Sequence, residues 1–232
     1  MYVLALDTST ESGSVALLKD SKVILETNIN SGLNHSITVL PAVSDTLMAA
    51  GLGTADIDLF AVTTGPGSFT GLRIGISIIK GLALAASKPV VGVSTLDAVA
   101  RNLFATALPI CPFMDAKRGQ VYAGLYKCRT DGLPERIIPE TLADPRQFLE
   151  RIQNRVIITG NGINPYQAII QEVLSGRYLL APSNMHCIRA SSVGLLAVEK
   201  FKKGELTDVM ALTPGYLRSS EVQVEGKQHE KA

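Results

Sequence analysis

The run YVLALDTSTESGSVALLKD near the start of the chain has a counterpart, PICPFMDAKRGQVYAGLYKC, near its middle. Each begins with an apolar stretch ending in an aspartate, Asp7 or Asp115, so the copies are offset by 115 − 7 = 108 residues. Each then has a short polar turn containing glycine and a second apolar stretch. Short apolar runs bounded by turn residues read as buried strands. Such a repeat, with strands and helices following each copy, restricts the chain to a duplicated α/β architecture.

The order of elements follows from local patterns. YVLALD, SVALL and KVILETNI are three short strands forming a meander. NHSITVLPAVSDTLMAAG has helical spacing closed by Gly51, with Pro41 blurring its start; DIDLFAVTT is a buried strand, 69–86 a helix, PVVGVS a strand and TLDAVARNLFATA a helix. After the second copy come an extended RIIPETL, a helix DPRQFLERIQN, a strand RVIITG, a helix NPYQAIIQEVLSG and a last helix RASSVGLLAVEKFKKG. The reading is a first domain over 1–105, a smaller second domain over 106–188, a helix near 189–204 returning to the first domain, and a polar, flexible tail at 219–232.

Composition narrows the function classes. With 46% hydrophobic residues and a formal net charge of +1, the chain has ample material for a core and no charge-based case for a nucleic-acid or membrane surface. Cys111, Cys128 and Cys187 form no C-x-x-C pair, which disfavours a disulfide framework or zinc ribbon and fits a cytoplasmic protein. The N-terminus has no basic region ahead of Asp7 and does not read as a signal peptide. Arg73 and Lys80 within the most apolar helix argue against a membrane span.

The most unusual loop is TTGPGSFTGLRIG, residues 63–75. It has the glycines of a phosphate cradle but neither the Lys-Ser/Thr of a Walker loop nor the G-x-G-x-x-G spacing. Ser68 is not in a G-x-S-x-G context, so a serine nucleophile is disfavoured. A tight turn in which Ser68 or Thr70 caps the following helix is the favoured reading, such a cap being worth about 1 kcal/mol. That helix is apolar on nearly all sides, and Gly71, Gly75 and Gly81 suggest close backbone approach. With the preceding helix it reads as an intersubunit surface carrying Leu40, Val43, Leu47, Phe69, Leu72, Arg73, Ile76, Ile79 and Lys80.

Asp7, Thr8 and Ser9 are weak cofactor candidates: a carboxylate closing a first strand beside hydroxyls is one way to hold Mg²⁺ and phosphate, and equally a way to satisfy a turn. Metal ligands do not converge. His35 has no second histidine at i+3 or i+4 and belongs at a helix start, while Asp115, Lys117 and Arg118 share a turn that is usually solvated.

The segments LALDTST, NHSITVLP, AVTTGPGSFTGLRIGISIIKGLA, PVVGVSTLDAVA, MDAKRGQVYAG and PGYLR, in this order over roughly residues 1–218, resemble the TsaB (YeaZ) family of bacterial tRNA threonylcarbamoyladenosine biosynthesis proteins, once called glycoprotease-like. The resemblance implies a duplicated actin/Hsp70-like (ribonuclease H-like) ATPase fold with a reduced second domain. It implies binding of the catalytic subunit TsaD through the first domain, cooperation with TsaE, a homodimer when alone, and contact with tRNA through the complex. The group transferred is a threonylcarbamoyl unit, placed on the adenosine beside the anticodon of tRNAs reading A-starting codons. TsaD carries a metal-binding H-x-x-x-H where this chain has VSTLDAV, so Thr95 and Val99 replace the histidines. The expectation is therefore a non-catalytic scaffold that holds TsaD, with no catalytic residue, metal or cofactor of its own, ATP and metal belonging to the partner subunits. A stand-alone ATPase or phosphotransferase is the alternative.

Overall fold

The structure, a computed structural model, describes residues 1–217, so the tail expected at 219–232 lies outside the described residues. The meander forms β1 (Tyr2–Asp7), β2 (Gly13–Lys19) and β3 (Lys22–Ile29), followed by α1 (His35–Ala49), β4 (Leu59–Gly65), α2 (Phe69–Ala86) and β5 (Val90–Ser94). The sheet runs β3-β2-β1-β4-β5, antiparallel within the meander and parallel from β1 to β5. After α3 (Thr95–Arg101) the pattern repeats as β6 (Ile110–Asp115), β7 (Val121–Cys128), β8 (Pro134–Ala143), α4 (Pro145–Glu150), β9 (Val156–Thr159), α5 (Gln167–Leu174) and β10 (Tyr178–Leu180). The second sheet, β10-β9-β6-β7-β8, matches the first strand for strand. The reduction is in the helices: α1 and α2 have 15 and 18 residues, α4 and α5 only 6 and 8.

Alternation along β1 explains the layering. Leu4 and Leu6 pack with Val15 and Leu17 under α1 and α2, while Val3 and Ala5 pack with Ala16 and Leu18 against the other layer. Burial on both faces is why these strands read as continuous apolar runs. The other layer is α6 (Ala190–Lys202), whose Val193, Leu196 and Ala197 share a core with β1 and β2. Gly194 makes this approach possible, since a Cβ there would lie 2.4 Å from Leu18 Cδ1. The same core continues through α3 into Met114, Tyr122 and Tyr126 of the second sheet.

A polar cluster also ties the domains together. Arg136 of β8 makes two 2.9 Å contacts with Asp97 of α3 and lies 2.8 Å from Glu140, which also accepts from Tyr126 Oη at 2.9 Å and from Ser94 Oγ. Ser94 Oγ in turn caps α3 through the amides of Leu96 and Asp97.

Three local expectations are revised. α3 stops at Arg101 instead of running on through Ala107; Asn102 follows it and donates to the carbonyls of Met185 and Cys187. β10 has three residues, too few for a periodicity to be seen. Residues 205–216 form a strap across α2: Thr207 bridges Val90, Leu212 is buried, Lys80 Nζ donates to the carbonyls of Met210 and Leu212, and Gly215 N donates to Thr64 O at 2.7 Å.

The expected intersubunit surface is corrected in part. Val43, Leu47, Leu72, Ile76 and Ile79 are at most 6% exposed and face the chain's own core. The 3.6-residue turn puts the first two on α1's sheet-facing stripe and the others on α2's, so they offer a partner little surface, Val43 and Leu47 only as part of the lining of a groove beside Leu40 and Met48. Arg73 and Lys80 are engaged with the strap. Leu40 and Phe69 are 51% and 43% exposed.

Candidate functional site

The loop between β4 and α2 is pressed onto the turn after β1. A Cβ on Gly67 would lie 2.3 Å from Ser9 O, one on Gly71 2.1 Å from Thr8 O, and one on Gly75 2.3 Å from Thr8 Oγ1. Thr8 Oγ1 donates to Gly71 O at 2.8 Å, and Ser68 N to Ser9 O at 2.7 Å. The glycines at 67, 71 and 75, four residues apart, thus let a helix start sit directly on the DTS turn. Ser68 is the cap: its Oγ accepts from Gly71 N at 3.2 Å. Gly81 differs, with nothing within 4 Å of its Cβ position.

Asp7 is sealed beneath this contact at 1% exposure. Its Oδ1 accepts from Thr63 Oγ1 at 2.6 Å, Ser9 Oγ at 2.7 Å and Ser9 N at 3.2 Å, while Oδ2 has no partner among the described residues. Burial raises its pKa, against the pull of the Thr63 and Ser9 donors. Asp115 ends the equivalent strand quite differently, at the edge of an interdomain cleft, with Lys117 N at 2.8 Å and Lys117 Nζ at 3.1 Å.

That cleft, about 790 Å³, lies between the β1–β2 and β6–β7 turns, with Ser9, Thr10 and Ser68 on one wall and Asp115, Lys117 and Asn161 on the other. Of the three weak cofactor candidates only Ser9 lines it. His35 opens α1, as its sequence context suggested, and its Nε2 donates to Thr10 O at 2.6 Å. Lys117 and Arg118 hold left-handed backbone at φ 61° and 54°. Thr95 and Val99 are fully buried in the core.

Next to the cleft, α1 and α2 leave an apolar face in solvent. Ile37, Leu40 and Met48 are 62%, 51% and 71% exposed, and a groove of about 650 Å³ runs between Leu40, Met48, Leu52 and Leu82. Ile37 and Met48 are not among the interface residues expected from the sequence. Their signal was available: they fall off the helical stripe that Val39, Val43 and Leu47 define.

Two sheets of matching strand order around a cleft, each opening with a hairpin whose first strand ends in aspartate, make this a protein of the actin/Hsp70-like ATPase fold. The activator of the 2-hydroxyisocaproyl-CoA dehydratase from Clostridium difficile, solved with bound ADPNP, has that fold in common at a TM-score of 0.51 and 12% identity, covering 88% of this chain and 97% of that one. The family model described as "TsaD: tRNA N6-adenosine threonylcarbamoyltransferase" matches residues 28–225. The tRNA threonylcarbamoyladenosine biosynthesis protein TsaB of Bacillus subtilis is 34% identical over 234 residues, the full length of both chains. YeaZ from Pseudomonas aeruginosa superposes with a TM-score of 0.78 at 31% identity, covering 93% of this chain and 99% of that one. The chain belongs to the TsaB (YeaZ) family, within the wider group that this transferase model describes, and is involved in threonylcarbamoyladenosine biosynthesis on tRNA.

Proposed function

We propose that this chain is a non-catalytic subunit of the threonylcarbamoyl-transfer machinery, holding and activating the transferase TsaD through the exposed face of α1 and α2. The observation that carries the reading is that face: Ile37, Leu40 and Met48 lie in water beside an apolar groove, although the same helices bury a full stripe against their own sheet. Gly81, with open space above it, gives a partner helix room for close approach. The same face serves the homodimer when the chain is alone. Two features favour a supporting over a catalytic role. Thr95 and Val99, at the positions of the H-x-x-x-H pair, are core residues without imidazoles. Asp7 and Thr8 are sealed by the GPGS loop and do not line the cleft. In this reading ATP and the metal reside in TsaD and TsaE, and tRNA is reached through the complex.

The test is Ile37→Glu combined with Leu40→Glu. Both side chains are more than half exposed, so the fold should melt within a few degrees of the parent. Placing unpaired carboxylates inside an apolar interface costs about 3 kcal/mol or more, roughly a hundredfold or greater loss of affinity for TsaD. Co-purification with TsaD at undiminished yield would remove the proposal.

A further inference from the structure

The strap ends in an arrangement that neither the core nor the proposed docking face accounts for. The ring of Tyr216 stacks on Phe69 with centroids 4.9 Å apart and planes 25° from parallel, and the Arg73 guanidinium lies 3.7 Å from the centroid of the Phe69 ring. Arg73 Nε also donates to Tyr216 Oη at 3.1 Å. Such stacks normally gain by hiding apolar surface, yet Phe69 and Tyr216 remain 43% and 40% exposed. Arg73 is held by the Phe69 ring and Tyr216 Oη, and no carboxylate among the described residues neutralises its charge. Phe69 and Tyr216 both edge the interdomain cleft, alongside Ser68 and Thr70 and across from Lys117 and Asn161.

We propose that Phe69, Arg73 and Tyr216 form a stacking platform for a nucleobase, with the attached phosphate directed toward Arg73 and the hydroxyls of Ser68 and Thr70. Part-exposed aromatic rings combined with a guanidinium whose charge no neighbouring carboxylate neutralises are how proteins hold unpaired bases without reading their sequence. The base comes either from a free nucleotide or from an unpaired residue of tRNA, since this family works on tRNA. The stack sits on the first turn of α2, fixed by the strap through Gly215 N to Thr64 O. A Cβ on Gly65 would lie 2.7 Å from Gly215 O, so strap and loop meet backbone to backbone. The proposal does not depend on the docking of TsaD.

The experiment titrates the full chain with two probes: a fluorescent adenine nucleotide, and a labelled anticodon stem-loop bearing adenosine beside the anticodon. Tyr216→Ala and Arg73→Ala should each weaken the bound probe roughly tenfold, the size expected for one stacked base. Tyr216→Phe, which keeps the ring, should stay within about threefold of the parent. Whichever probe shows this pattern identifies the source of the base. Thermal melts of all variants separate loss of the platform from loss of fold, and Tyr216→Phe remains informative if an alanine variant is unstable. Binding of neither probe, or binding indifferent to Tyr216→Ala, overturns the proposal. So does loss of TsaD association in Tyr216→Ala with both probes unaffected, because the stack would then be a protein contact.

Discussion

Gly71 and Gly81 lie on one helix, and the same substitution should have opposite effects at the two. In a helix interior glycine is about 1 kcal/mol less favourable than alanine. At Gly81, with nothing within 4 Å of the new Cβ, Gly81→Ala should stabilise by about that amount, raising the melting temperature by roughly 2–4 °C for a chain of this size. At Gly71 the new Cβ falls 2.1 Å from Thr8 O and 3.3 Å from Ser68 Cβ and Oγ. The carbonyl cannot easily give way, because Thr8 is fully buried and Ser68 N holds the next carbonyl, Ser9 O, at 2.7 Å. A shift of about 1 Å would be needed to restore ordinary contact. Overpacking of this kind costs about 1–3 kcal/mol, and weakening the Ser68–Ser9 bond adds about 1 kcal/mol. Set against the roughly 1 kcal/mol gained in helix propensity, the net loss for Gly71→Ala is about 1–3 kcal/mol, a fall of roughly 2–12 °C. Calorimetric melts of the two variants beside the parent decide it. A Gly71→Ala protein melting within a degree of the parent would mean that the helix is not pinned on the DTS turn, and a destabilised Gly81→Ala would mean that its open surroundings are wrong.

Two further outcomes follow from the buried charges. Because burial raises the Asp7 pKa above its ordinary 3.8, the folded state holds that proton more tightly than the unfolded chain, and the associated stability is complete below 3.8 and lost as pH rises through the folded value. Urea midpoints between pH 4 and 8 should therefore fall less steeply in Asp7→Asn than in the parent, and equal slopes would refute the assignment. Arg136→Ala should cost about 1–2 kcal/mol, since it leaves Asp97 without its partner while Glu140 keeps Ser94 and Tyr126. Hydrogen exchange should quicken in β5, α3 and β8 together; unchanged exchange there would mean that the cluster does not tie the domains.

Much of the fold was legible because it rests on local periodicity. Every strand of the first sheet and every α-helix among the described residues is visible in the sequence, α3 with too long a reach, and the offset of Asp7 and Asp115 corresponds to equivalent positions at the ends of β1 and β6. β10 and the strap were not legible, as three residues carry no period and the strap is held by contacts distant in sequence: Lys80 with Met210 and Leu212, Thr64 with Gly215. The glycines were read as sites of close approach, which holds for Gly71 and Gly75, but the surface they approach is this chain's own turn. The candidate interface was half legible. Composition marks α1 and α2 as too apolar for ordinary surface helices without saying which apolar residues meet the sheet.

By itself the sequence determined the duplication, the succession of elements apart from β10, a capped start to α2 and the family, because each rests on neighbours in the chain or on motif order. Tertiary structure alone decided that Asp7 is sealed while Asp115 borders a cleft, that Gly71 and Gly75 meet this chain's own turn, and that the strap brings Tyr216 onto Phe69. These depend on which surfaces meet once the sheets are layered, and hydrophobic burial, being non-directional, rewards any apolar face equally until the geometry of packing selects one.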